Sequence, residues 1–173
     1  IVGLAGIITM KRYIRNRIMT FIDPAGHPQT SGYQIQQSLI AIGSGGVTGK
    51  GFGQSVQKFG FLPEPVGDSI FAVAGEEFGF VGGVAIIILF LFFALRGLRI
   101  SVRAPDEFGR LLGLGIVILI TTQAFMNISA MLAIIPLSGQ TLPLISHGGT
   151  SLLMTLGAIG IVFNISKDQK KLV

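Results

Sequence analysis

FLPEPVGDSIFAVAGEE, residues 61–77, runs directly into FGFVGGVAIIILFLFFAL, residues 78–95. The second part is an apolar run close to the roughly 20 residues that a bilayer-crossing helix needs. The first part sets Glu64, Asp68, Glu76 and Glu77 at its mouth. In a chain that is 50% hydrophobic and only 12% charged, acids at the edge of a membrane span are costly to place and need a reason. The expectation is that they serve chemistry on a lipid-bound substrate.

The composition around this stretch agrees. With 173 residues, 25 Gly, no Trp, and a mean hydropathy of +0.72, the chain lies outside the soluble globular range and reads as a polytopic membrane protein. Two further apolar runs are long enough to cross. The expected spans are residues 78–98, 111–135 and 148–165, joined by a basic loop at 99–110 and a short loop at 136–147, with a tail at 166–173. The absence of Cys excludes a disulfide framework and a thiolate metal site. The net charge of +5 sits in separated Lys and Arg clusters between apolar runs, as membrane flanks do, so no nucleic-acid partner is expected.

Upstream, the chain opens on ten apolar residues (IVGLAGIITM, 1–10), half the length of a span, with no basic start of a signal peptide. This reads as the end of a cut transmembrane helix, and hence as the C-terminal part of a larger protein. Residues 11–21 (KRYIRNRIMTF) place Ile14, Ile18 and Phe21 on one helical face, as in an interfacial segment, before a Pro-Gly turn at 23–28. Residues 33–42 (YQIQQSLIAI) predict a short amphipathic helix with Ile35, Leu39 and Ile42 inward. The glycine run 43–53 (GSGGVTGKGFG) predicts loop; it lacks the spacing of a nucleotide P-loop, and Gly51 follows Lys50 where Ser or Thr is needed.

Orientation follows from the bases. Arg96, Arg99, Arg103 and Arg110 flank the first loop and three Lys lie in the tail, while the 136–147 loop has none, so the first two sites are cytoplasmic. Residues 11–77 are then a large external loop whose six bases and five acids leave it at +1. Long translocated segments are largely exempt from the rule.

The segments FGQSVQKFGFLPEPVGDSIFAVAGEEFGFVGG and NISAMLAIIPLSGQTLPLISHGGTSLL, in this order, resemble the C-terminal half of the SEDS family (shape, elongation, division and sporulation), the group of FtsW, RodA and SpoVE. The wording at residues 55–58 and 141–143 leans toward the FtsW and SpoVE branch. The resemblance implies an all-α, ten-helix membrane glycosyltransferase of the bacterial cytoplasmic membrane. It would polymerise lipid II into peptidoglycan strands on the outer face and release undecaprenyl pyrophosphate, in cell division or shape maintenance. This chain would supply the end of the seventh helix, the large extracellular loop and three full spans, ending in the cytoplasm. The implied partner is a class B penicillin-binding transpeptidase, and the implied catalytic aspartate is Asp68. Two departures stand out: Val66-Gly67 replaces the usual His-Thr before the aspartate, with Gly60 where many members carry an acid, and His147 replaces Tyr in Ser146-His147-Gly148-Gly149.

Glycosyl transfer from a polyprenyl pyrophosphate needs a base for the attacking hydroxyl, and one carboxylate suffices because pyrophosphate leaves as an anion. Asp68 fits that role; its structural alternative is to cap a helix starting at Ser69. Glu64, between two prolines, is a supporting candidate, or else a loop acid or a partner for Lys58. Glu76 and Glu77 are expected to hold the helix to a base of the loop. Lys50 and Lys58, which share the glycine-rich loop with the acids, are candidates to grip pyrophosphate. The bases at residues 11–17 are expected to meet anionic headgroups. Ser146 and His147 are further substrate-binding candidates. His147 and His27 lack metal-ligand spacing, so any divalent cation such as Mg²⁺ would be held by carboxylates together with the pyrophosphate. Gln123 and Asn127 share a helical face and are expected to hydrogen-bond other helices or line a cavity. Gly113, Gly115, Gly157 and Gly160 are expected at close packing contacts, and Pro136 and Pro143 at helix ends. Two rival functions remain: a flippase for lipid-linked precursors, and a non-catalytic scaffold for the transpeptidase.

Overall fold

The computed structural model describes residues 17, 19–21 and 31–167. The expectations for residues 1–16, for Ile18, for the turn at 23–28 with His27, and for the tail at 168–173 lie outside them. Among the described residues there is no strand, and the helices are α1 (Ser31–Gly45), α2 (Ile70–Val102), α3 (Glu107–Met131) and α4 (Gly149–Lys167). The last three are long and apolar enough to cross a membrane. Their outer faces carry exposed Leu89, Leu91, Leu119, Leu153 and Phe163, side chains that suit lipid.

The first span begins eight residues before the expected Phe78, because the acids that look like its boundary are inside the helix. Glu76 and Glu77 are buried in α2, and the helix breaks just after them at Gly79, with φ 65° and ψ −162°. Such a break frees backbone groups that membrane-embedded structure must satisfy. The loop after α1 does this. Phe80 and Val81 N–H donate to Gly46 O and Val47 O, and Lys50 and Gly51 N–H donate to Glu76 O and Glu77 O, at 2.8–3.2 Å. Only glycine allows that approach: a Cβ on Gly49 would lie 2.1 Å from Glu77 O, and one on Gly79 would lie 2.3 Å from Gly49 N. Beyond the break, residues 80–102 rise about 34 Å, enough to span the hydrocarbon core.

α1 packs on the first part of α2. Ile35 is buried as expected, but Leu39 is exposed, and Ser38 and Ala41 are the fully buried residues beside it. The inward face is rotated toward small side chains because the helices nearly touch: a Cβ on Gly45 would meet Gly75 O at 2.0 Å. α1 also continues through Gly45, so the first glycines of the expected loop are helical.

α3 starts at Glu107, where the Asp106 carboxylate accepts from Gly109 N at 2.7 Å and caps the helix. It ends at Met131, five residues before Pro136. Of the four glycines expected at packing contacts only Gly113 is at one, against Ser101; Gly115, Gly157 and Gly160 have open space where a Cβ would stand. Gly97, packed on Val117, supplies the other close contact. The three spans run up, down and up. The 132–148 connection therefore returns to the end where α2 begins. There Ile35, Phe71, Ile128, Met131, Leu137 and Leu142 form the core on which the loops sit.

Candidate active site

Asp68 lies just before α2, half-buried, on a short loop held by its own backbone. Gly67 and Ser69 N–H both donate to Glu64 O (3.1 and 3.2 Å), and the Ser69 hydroxyl donates to Pro63 O at 2.8 Å while accepting from Gln34 Nε2 at 2.9 Å. Ser69 is the N-cap residue of α2, with no capping bond from its side chain, so Asp68 does not cap the helix. Glu64 occupies a left-handed conformation (φ 47°) between Pro63 and Pro65, a strained state for a non-glycine residue. Its carboxylate is exposed and does not pair with Lys58.

The Asp68 loop is clamped from two sides. Asn127, 1% exposed, donates from Nδ2 to Asp68 O at 2.8 Å and to Gln140 O at 2.5 Å. Ser146 donates from Oγ to Gly67 O (2.8 Å) and accepts from Leu142 N (2.7 Å), and His147 N–H donates to Val66 O (2.8 Å). Residues 66 and 67 thus enter the clamp through carbonyls, which any side chain at those positions leaves in place. The His147 imidazole is exposed and without a hydrogen bond among the described residues; its main chain makes the contact.

A Cβ on Gly139 would lie 3.6 Å from Asp68 Oδ2. Gly139 also lines a cleft of about 460 Å³ with Leu119, Thr122, Gln123, Met126, Gln140 and Thr141. The carboxylate therefore stands beside a cavity with polar amide and hydroxyl groups in its wall. Gln123 lines it, the alternative to bonding another helix, and both Gln123 and Asn127 donate to carbonyls of the 132–148 connection rather than to another helix. Burial, and then repulsion from Glu64, raises the proton affinity of Asp68 above the usual carboxylate value.

Lys50 and Lys58 stand behind this loop. Lys50 Nζ lies 2.6 Å from Glu76 Oε1, and Lys58 Nζ 2.6 Å from Glu77 Oε1. Glu76, 0% exposed, also accepts from Ser55 Oγ (2.5 Å) and from Val56 and Gln57 N–H. Both acids thus hold the loop to α2, and both ammonium groups are neutralised by that contact. No three Asp, Glu or His side chains converge among the described residues. Asp68 and Glu64 are the carboxylates at the site, a donor set that suits Mg²⁺ only when phosphate oxygens complete its shell. Sequence alone missed the clamp: a polar residue at a span end is visible, but a carbonyl partner 59 residues away is not.

The profile of the FtsW/RodA/SpoVE family, described as "Cell cycle protein", matches residues 1–171. Stage V sporulation protein E of Bacillus subtilis (strain 168) is 44% identical over 168 residues, 97% of this chain and 46% of that protein. The probable peptidoglycan glycosyltransferase FtsW of Geobacter metallireducens is 45% identical over 158 residues, 91% of this chain and 42% of that one. A solved chain described under "Structural coordination of polymerization and crosslinking by a peptidoglycan synthase complex" superposes with a TM-score of 0.76 at 28% identity, covering 99% of this chain and 46% of its own. The chain spans less than half the length of these relatives.

Proposed function

The chain belongs to the FtsW/RodA/SpoVE family of cell cycle proteins, and from that premise we propose that the complete protein polymerises lipid II into peptidoglycan glycan strands, with Asp68 as general base. Family membership and the three span-length apolar helices make it a multi-pass membrane protein. The observation that carries the enzymatic reading is the half-buried Asp68 carboxylate, backbone-clamped beside a cleft whose wall includes Thr122, Gln123, Gln140 and Thr141, and raised in proton affinity.

In this mechanism the acceptor sugar hydroxyl gives its proton to Asp68 as its oxygen bonds to the anomeric carbon of the donor. The bond from that carbon to the pyrophosphate breaks, and undecaprenyl pyrophosphate leaves with the electron pair. A base whose proton affinity lies nearer neutrality than a free carboxylate is better matched to the task. A divalent cation, if the reaction uses one, would be held by Glu64 together with pyrophosphate oxygens and would neutralise charge on the leaving group, leaving Asp68 to take the proton. Lys50 and Lys58, being ion-paired, shape the loop instead of gripping substrate, and Ser146 acts by holding Gly67. The His147 imidazole, exposed at the rim, is the better candidate for direct substrate contact. The active site is on the outer face, and the partner is a class B penicillin-binding transpeptidase, a pairing supported by the likeness to a chain of a peptidoglycan synthase complex.

The test is polymerisation of lipid II by the purified full-length protein. Asp68→Ala is expected to lose about 10²–10⁴-fold in rate, with Glu64→Ala losing less. An active Asp68→Ala would sink the base assignment. Substrate translocation without polymer would favour a flippase, which the lack of charge at mid-depth in the described spans already disfavours.

A further inference from the structure

At the far end of the spans from Asp68, α2 carries Arg96, Arg99 and Arg103 at spacings of three and four, which puts them on one helical face. With Phe92, Ile100 and, from α4, Phe163 and Ser166, they line a cavity of about 580 Å³, within the size range of small-ligand sites. Three like charges so placed repel one another. The neighbouring acids do not relieve this: Glu107 pairs with Arg110 at 2.9 Å, and Asp106 is occupied in capping α3. Among the described residues none of the three guanidinium groups has a carboxylate partner. Arg96 instead sits 5.8 Å from the centre of the Phe92 ring. Among the described residues the lining therefore brings three cations together and no acid.

We propose that this cavity binds the phosphate head of an anionic phospholipid. Its place selects that source of phosphate. It lies where both helices pass from exposed apolar residues (Phe92, Leu95, Phe163) to charge, the depth at which a bilayer's phosphates lie. Guanidinium forks match phosphate oxygens in pairs, while Phe92 and Phe163 supply apolar walls for the glycerol and first acyl carbons. The site is on the opposite membrane face from Asp68 and is independent of the reaction proposed there.

Native mass spectrometry of the full-length protein, titrated with phosphatidylglycerol or phosphatidylcholine, tests this. Wild type should retain phosphatidylglycerol preferentially. Each Arg→Gln change should weaken retention about fivefold, and the triple change on the order of a hundredfold. The triple Arg→Lys variant should bind more tightly than the triple Gln variant but less tightly than wild type, because an ammonium keeps the charge and loses the fork. Should the triple Gln variant fail to fold, Arg99→Gln alone and the wild-type lipid preference still decide. Equal retention of the two lipids by wild type, or undiminished phosphatidylglycerol binding by Arg99→Gln, overturns the site. Displacement of the lipid by millimolar inorganic phosphate would show a site for free anions and overturn the assignment to lipid.

Discussion

Asp68 is defined less by its own contacts than by what confines its backbone. Its proton affinity is raised first by burial and then by Glu64. The folded carboxyl therefore holds a proton at pH values where the unfolded one has released it. Stability falls as pH rises through the window between the ordinary and the raised value, while base activity appears as pH rises through the raised one. Glu64→Gln should move the acid limb of the pH–rate profile to lower pH without abolishing it, since burial, the larger cause, remains; an unmoved limb would remove Glu64 from the site. Asn127→Ala should behave differently. It leaves the carbonyls of Asp68 and Gln140 without their donor, costing about 1–3 kcal/mol of stability. It should lower kcat by about ten- to a hundredfold through misplacement of the base, with the acid limb unmoved because no charge is altered. A displaced limb would mean that Asn127 acts on the proton rather than on the frame.

At the scale of the element, the instructive feature is the broken start of α2. Gly79→Ala and Gly49→Ala each force a Cβ into backbone at little more than 2 Å, and should cost about 2–5 kcal/mol from left-handed strain and overpacking together. Gly46→Ala, also at positive φ but with open space around it, should cost only the strain, about 1–2 kcal/mol. Thermal unfolding of the purified full-length variants separates them, and equal melting of Gly49→Ala and Gly46→Ala would deny the close approach. This break also marks how far sequence could be read. Long apolar runs made the three spans legible, because hydrocarbon admits few alternatives. Their ends were not. The sequence expects Glu76 and Glu77 to tie the helix to a base of the loop, as their pairs with Lys50 and Lys58 do, but the burial of both acids shows only once that loop is folded over them. The place of Asp68 at the span mouth is legible in the sequence, whereas Asn127 and Ser146 become readable as holding its loop only once the 132–148 connection is seen folded back upon it.

For the molecule as a whole, α2 alone separates two chemical faces: carboxylates beside a cleft at one end, and at the other three arginines without a carboxylate partner among the described residues. A bilayer with an anionic cytoplasmic leaflet reads that asymmetry as orientation. Arginine in a short loop between spans stays inside, whereas the long 11–77 segment, nearly neutral, can be translocated. This orientation would put Asp68 outside, with the lipid-linked disaccharide it is proposed to use. The lack of Cys in this chain makes the prediction easy to read. In a Cys-free full-length background, a cysteine at exposed Val56 should react with a membrane-impermeant maleimide on intact spheroplasts, and one at exposed Pro105 only after permeabilisation. The reverse pattern would leave every helix and hydrogen bond of the fold unchanged. It would nevertheless place Asp68 where lipid II is still facing inward, and so overturn the polymerase in favour of a step before translocation.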